Sequence, residues 1–262
     1  MFEWLIFAAI GVVAGLLSGL LGLGGGVVVV PALLFVFSWQ GLAEAHIMHL
    51  AIGTSLMTIV VTSLASSYTH NKHQNIDWLL FKRLSLGLVL GGILGAFFAT
   101  QLPTQLLQYL FASAMLLVAV RMSLPHSDKT NDHLLSSPIL FATGTFIGSL
   151  SALIGIGGGT LIVPYLTMAK LKIQHAIGTS TACTVPIAIA AVITYLFLGR
   201  NLIPDTPWQT AYIHWQAFLG IISTSIIFAI FAANNVKHIA VTTLKRVFSL
   251  VLLSISVYLF IR

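Results

Sequence analysis

The sequence predicts an all-α integral membrane protein built from two inverted-topology repeats of five helical segments each, with short broken or re-entrant helices at glycine-rich tips. Three observations carry this: composition, a duplicated motif and the placement of basic residues. Hydrophobic residues make up 58% of the 262 and charged residues 7%, and mean hydropathy is +1.01. The apolar runs are about 20 residues long, which fits helical spans rather than the alternating ten-residue segments of a membrane barrel. No soluble domain fits in the remaining loops. A formal charge of +6 could suggest nucleic acid, but the basic residues stand singly or in pairs at the ends of apolar runs. There they act as orientation signals.

The duplication extends beyond single glycines. "AGLLSGLLGLGGGVVVVP" ending at Pro31 aligns without gaps with "IGSLSALIGIGGGTLIVP" ending at Pro164, and "AIGTS" at Ala51–Ser55 recurs at Ala176–Ser180. Repeat 1 is therefore placed at 1–121, a cytoplasmic linker at 122–136 and repeat 2 at 137–262.

The first segments are Phe2–Leu21 and Ile139–Ile154. Phe2–Leu21 has Glu3 where a signal peptide carries basic residues and lacks a small-residue cleavage site, so it is read as mature protein. The second segments, Val27–Phe37 and Leu161–Ala169, are too short to cross about 30 Å of hydrocarbon at 1.5 Å per residue. They read as half-crossings or strongly tilted helices. The third, Ile47–Ser67 and Ala176–Leu198, carry the "IGTS" sequences. The fourth are Leu79–Thr100 and Tyr212–Ala232; in the former, Gly87, Gly91 and Gly95 at four-residue spacing predict a close helix-packing surface. Leu106–Val120 and Val241–Ile261 complete the units, and "RMSLPHSDKTNDH" joins them.

Basic residues test the orientation of the copies. If each glycine break reverses the chain, Lys72, Lys82, Arg83, Arg121, Lys129, Lys170, Lys172, Lys237, Lys245 and Arg246 collect on one side, leaving Arg200 and Arg262 on the other. If each break is only a kink, the same residues divide nearly evenly. The biased distribution obeys the positive-inside rule. It predicts both termini outside, a cytoplasmic linker and an inverted repeat in the cytoplasmic (inner) membrane.

Glycine clusters expose backbone N–H groups, and a helix N-terminus adds partial positive charge. The candidate binding residues are accordingly Gly22, Gly24, Gly25 and Gly26 in the first tip and Gly155, Gly157, Gly158 and Gly159 in the second. Hydroxyls from Thr54, Ser55, Thr179 and Ser180 lie at a compatible depth, with Ser18 and Ser151 as weaker candidates. Irregular backbone at that depth survives where it lines a protein-enclosed cavity. Pro31 and Pro164 are expected to break the tip from the half-helix, opening it at the first helical position after an extended β-branched run. Bland readings stand beside these: glycines as packing surface, hydroxyls bonded to their own helix.

Other chemistry finds little support. Gly22-Leu23-Gly24 is followed by Val27 where a dinucleotide fingerprint needs glycine, and no P-loop lysine follows. His46 and His49 could pair on a metal, but neither carboxylate nor cysteine stands beside them. His49 and His175, near the "IGTS" sequences, could relay protons or be satisfied interfacial histidines. Asp and Glu keep to edges and loops, which disfavours a pump built on a buried carboxylate. Cys183 reads as a packing residue.

"GLLSGLLGLGGGVVVVPAL" and "GSLSALIGIGGGTLIVPYL", each followed by "AIGTS", resemble the TauE/SafE family of membrane transporters, also called the sulfite exporter or TSUP family, over essentially the whole chain. The resemblance implies movement of small sulfur-containing anions such as sulfite, thiosulfate or organosulfonates, which fits an uncharged site rich in donors. The copies differ where Val27 faces Thr160, Thr58 faces Cys183 and Val61 faces Pro186. The expected function is a secondary transporter working by alternating access around a central anion site, the alternative being a passive anion channel. Enzyme chemistry lacks a nucleophile, acid–base pair or metal cluster at depth. No cofactor, metal or nucleic-acid partner is expected. The partners are the anion and the bilayer, and a homo-oligomer is compatible with this reading.

Overall fold

The computed structural model describes residues 2–22, 24–123, 136–169, 171–200, 208–235, 249, 252–257 and 259–260. Residues 124–135 of the 122–136 linker and most of the tenth segment lie outside them. Among the described residues the helices are α1 (Phe2–Leu21), α2 (Gly26–Trp39), α3 (Ile47–Lys72), α4 (Trp78–Gln101), α5 (Thr104–Ser123), α6 (Ser137–Ile154), α7 (Gly159–Met168), α8 (Ile173–Gly199) and α9 (Trp215–Asn235). A small hairpin, β1 (Gln209–Thr210) with β2 (Ile213–His214), precedes α9. Six of these helices are long and apolar enough to cross a bilayer. Large apolar side chains such as Phe2, Phe35, Leu86, Phe146 and Phe197 face outward, as a lipid-facing surface requires.

Two glycine seams hold the bundle together. A Cβ on Gly87, Gly91 or Gly95 of α4 would stand 2.4, 2.2 or 2.1 Å from the carbonyl oxygens of Phe141, Thr145 and Ser149 on α6. Only glycine admits so close an approach, so this packing surface is as expected. A matching seam joins α1 to α9, where Gly11, Gly15 and Gly19 lie against Ile221, Ser225 and Ala229. Contacts rise in step along each pair, so α1 runs parallel to α9 and α4 parallel to α6.

The repeat-related helices α3 and α8 run in opposite directions. Gly178, early in α8, packs on Asn75 just beyond the end of α3, while Gly53, early in α3, packs on Tyr212 beyond the end of α8. Such a pair brings the last turn of α3 and the first turn of α8 to one end of the bundle. Lys72, Lys82, Arg83 and Lys172 are exposed at that end and Arg200 at the other.

Two boundaries correct the sequence reading. Pro31 and Pro164 do not open the half-helices; both lie inside them, five residues past starts at Gly26 and Gly159. The chain reaches helical geometry as soon as left-handed Gly25 and Gly158 supply the N-cap, so Val27–Val30 winds into the first turn instead of staying extended. At the second boundary, α9 begins at Trp215 rather than Tyr212, because residues 209–214 are spent on the hairpin.

Candidate functional site

α2 has 14 residues and α7 has 10, about 21 and 15 Å of helix, each short of the hydrocarbon thickness. Each half-helix starts directly from the glycine tip that precedes it, with Gly25 and Gly158 as the N-caps. In each tip three glycines take positive φ: Gly22, Gly24 and Gly25 at 69°, 73° and 81°, and Gly155, Gly157 and Gly158 at 74°, 79° and 83°. A side chain in this region costs roughly 1–2 kcal/mol. Each tip thus ends in two consecutive left-handed glycines, Gly24–Gly25 and Gly157–Gly158, immediately before its half-helix.

The tips meet. A Cβ on Gly26 would stand 2.3 Å from the Gly155 carbonyl oxygen. Ones on Gly24 and on Gly157 would each touch the same two methyls, Ile59 Cγ2 and Thr184 Cγ2. Gly25 packs on the Ala14 backbone, and Gly158 lies against Ile187 and Ser151. In α2 the first ladder bonds run from the Val28 and Val29 amides to Gly25 O, and in α7 from those of Leu161 and Ile162 to Gly158 O. The amides of Gly26, Val27, Gly159 and Thr160 precede them and are the orphan donors of the helix starts.

The four hydroxyls expected around the tips are all buried, and each has a protein partner. Ser55 Oγ donates to Gly155 O at 3.0 Å, and Ser180 Oγ donates to Gly22 O at 3.4 Å. Each repeat's third helix thus lashes the other repeat's tip. Thr54 Oγ1 accepts from the His214 amide and Thr179 Oγ1 from the Asp77 amide, both at 2.9 Å. These bonds make the threonines brackets for the entries to α9 and α4, a role nearer to the bland reading than to ligand contact. Ser18 Oγ pairs with Ser66 Oγ at 3.2 Å. Ser151 Oγ meets no partner among the described residues.

The entries hold an equivalence that the sequence analysis missed. Asp77 caps α4 by accepting from the Leu79 and Leu80 amides, and His214 Nδ1 caps α9 by accepting from the Ala217 amide at 3.2 Å. "Ile76-Asp77-Trp78" against "Ile213-His214-Trp215" is the signal that would have found it. Burial holds the His214 imidazole below its ordinary pKa, with the Glu3 carboxylate opposing. A protonated Nδ1 cannot accept, so the cap exists only in the neutral ring. Because the folded pKa is depressed, the contribution is complete above the unfolded value of about 6.5 and is lost as pH falls below it toward the folded value. Melting temperature should therefore drop on acidification below that point, less steeply in His214→Asn, which keeps a capping acceptor. Identical pH profiles for the two proteins would remove His214 from the account.

His49 and His175 are not brought together; they stand near the starts of the antiparallel α3 and α8, respectively, and so at opposite ends of the bundle. His49 Nε2 donates to Ala99 O at 3.0 Å, Thr104 Oγ1 lies 3.5 Å from Nδ1, and the ring stacks on Tyr212 at 5.1 Å. This is the geometry of a satisfied buried imidazole. His175 is half-buried. His46 and His49 have ring centroids 6.1 Å apart, and among the described residues no group of three metal-capable side chains forms.

Six helices able to cross a bilayer and two glycine-capped half-helices whose tips meet make a multi-pass membrane protein, and the family and relatives that it matches are membrane transporters, not enzymes. Residues 7–259 match the sulfite exporter TauE/SafE family, and the chain belongs to it. A "Probable membrane transporter protein" of Haemophilus influenzae is 32% identical over 98% of this chain and 98% of its own. One of Methanocaldococcus jannaschii is 32% identical over 71% of this chain and 70% of its own, and YdhB of Bacillus subtilis 32% over 71% and 76%.

Proposed function

We propose that the protein is a secondary transporter for small sulfur-containing anions, with the two glycine tips as the half-sites of one central, formally uncharged site in the cytoplasmic membrane. The observation that carries this reading is the meeting of Gly24–Gly26 with Gly155–Gly157 beside the orphan amides of α2 and α7. Two positive dipole ends aimed at one buried point favour an anion. A sulfur oxyanion offers several acceptors for those donors. The family's name supplies the sulfur class.

Opposed α3 and α8 support an inverted repeat, and exposed Lys72, Lys82, Arg83 and Lys172 at one end support a cytoplasmic placement of that end, with both termini outside. In this arrangement one repeat rocks against the other around the tips, and the Ser55 and Ser180 bonds across the repeat interface are exchanged as it does so.

The test is counterflow of labelled sulfite in proteoliposomes preloaded with unlabelled sulfite, beside Gly25→Leu and Gly158→Leu. Transient accumulation abolished by both substitutions is the expected result. Label that merely equilibrates would support a channel, and no flux of sulfite, thiosulfate or a small sulfonate would overturn the anion reading.

A further inference from the structure

Beyond the tips, the two third helices bury different chemistry. From the paired Ser55 and Ser180 onward, α3 continues with Thr62, Ser63, Ser66, Ser67 and His70, where α8 has Ile187, Ala188, Ala191, Val192 and Tyr195. The α3 positions fall on one helical face. That face meets the last turn of α1 and the first glycine tip. Thr62 Oγ1 lies 3.3 Å from Gly24 O and 3.1 Å from Thr58 O of its own helix, Ser66 Oγ pairs with Ser18 Oγ, and His70 Nε2 donates to Gly19 O at 3.2 Å. Packing alone does not call for the hydroxyls, since aliphatic residues, Ile187, Ala188, Ala191 and Val192, fill the places matched to Thr62, Ser63, Ser66 and Ser67 in repeat 2.

Three side-chain atoms of the stripe, Ser63 Oγ, Ser67 Oγ and His70 Nδ1, are buried without a partner among the described residues. Ser63 Oγ, in a residue 0% exposed, has no partner among the described residues and lies 3.5 Å from where a Gly24 Cβ would stand. His70, also 0% exposed, leaves Nδ1 without a partner. A carbonyl only accepts, so Nε2 carries the proton toward Gly19 and Nδ1 of the neutral ring is an acceptor lacking a donor. Buried polar atoms are rarely left so, because each forfeits its hydration. The stripe leads from the tip to the end of the bundle where Lys72, Lys82, Arg83 and Lys172 are exposed, a field that gathers anions. On the opposite side the matched face of α8 is aliphatic as far as Tyr195, which stands edge-on to Tyr212 at 5.8 Å and whose buried hydroxyl likewise has no partner among the described residues.

We propose that the α3 stripe Thr62, Ser63, Ser66 and His70, with Ser18 of α1, is a hydrated access route that carries a small oxyanion between the glycine tips and the basic end of the bundle, and that repeat 2 has no equivalent. The identity of the cargo rests on the reading of the tips given above; the route itself does not. Hydroxyls donate to the anion or its water as it passes, and Nδ1 of His70 accepts from water at the mouth.

In a Cys183→Ala background, Ser63→Cys and Ser66→Cys are compared with Ala188→Cys and Ala191→Cys, using a small anionic, membrane-impermeant thiosulfonate on right-side-out and inside-out vesicles. The two α3 cysteines should react an order of magnitude faster from the basic end than from the other, and faster than the α8 pair from either. Equal rates at all four positions would overturn the route. If the α3 cysteines react as expected while no sulfur anion moves in proteoliposomes, the route stands and the substrate reading falls. Ser63→Ala, which copies Ala188, deletes an unpaired hydroxyl: it should keep or raise the melting temperature while slowing counterflow several-fold. Lower stability with unchanged flux would make Ser63 a packing residue and overturn its part.

Discussion

Gly26→Ala is expected to abolish counterflow and to destabilise the purified protein by about 2–4 kcal/mol, the sum of an overpacking term and one lost hydrogen bond. The added methyl would stand 2.3 Å from Gly155 O, 2.7 Å from Ile59 Cδ1 and 3.0 Å from Ser55 Oγ. Ile59 can rotate away, but a backbone carbonyl at the partner tip cannot. The tips must part, and the Ser55 bond to Gly155 O goes with them. Such a loss is a large fraction of a typical folding free energy of about 5–15 kcal/mol. Gly41→Ala is the contrasting case: Gly41, unlike Gly26, has positive φ, 70°, but nothing lies within 4 Å of its added methyl. It should lose only roughly the 1–2 kcal/mol of left-handed backbone strain and keep its flux. Wild-type flux and melting in Gly26→Ala would show that the tips are not in contact.

Gly91→Leu is expected to prevent recovery of a monodisperse folded protein, with a cost of about 3 kcal/mol or more. Its Cβ would lie 2.2 Å from Thr145 O, 2.7 Å from the Ser149 amide nitrogen and 2.9 Å from Gly148 Cα, all backbone atoms of α6. The parallel helices would have to separate along their length, because in lipid their association rests on close van der Waals contact rather than on a hydrophobic drive. The neighbouring Gly92 faces α8 instead, where its nearest atom, Ile187 O, stands at 2.9 Å. Gly92→Leu should therefore be the milder of the two. Size-exclusion profiles and thermal melts of both variants check the order, and a reversed order would refute the seam.

Much of this was legible in the residues. The bounds of α1 and α4 follow the apolar runs closely, since water and lipid sort side chains by polarity over about 20 residues without help from tertiary contacts, whereas α3 runs on to Lys72, five residues past the expected end at Ser67. The Gly87-Gly91-Gly95 seam was readable for a related reason: four-residue spacing keeps small side chains on one face. The matching Gly11-Gly15-Gly19 seam of α1 obeys the same rule and went unremarked beside the louder glycines of the tip. The proline reading failed because the left-handed glycines cap each half-helix before proline is reached.

The partners of the hydroxyls were beyond reach. Thr54 and Thr179 look identical in "AIGTS" to residues lining a site, yet what each touches, His214 N or Asp77 N, lies in the other repeat. The α3 stripe likewise gained meaning only when its serines were found against α1 and the tip.

The sequence by itself determined the membrane class, the twofold duplication, the placement of glycine breaks and the bias of basic residues. These depend on local polarity and on matching one stretch of chain to another. Only the tertiary structure decided that the tips touch, that each repeat's third helix lashes the other's tip, and that Thr54 and Thr179 each bracket a helix entry of the other repeat. Those facts are contacts between residues about 100 to 160 positions apart, and no local pattern specifies a partner at that distance, because it emerges when both repeats close on each other.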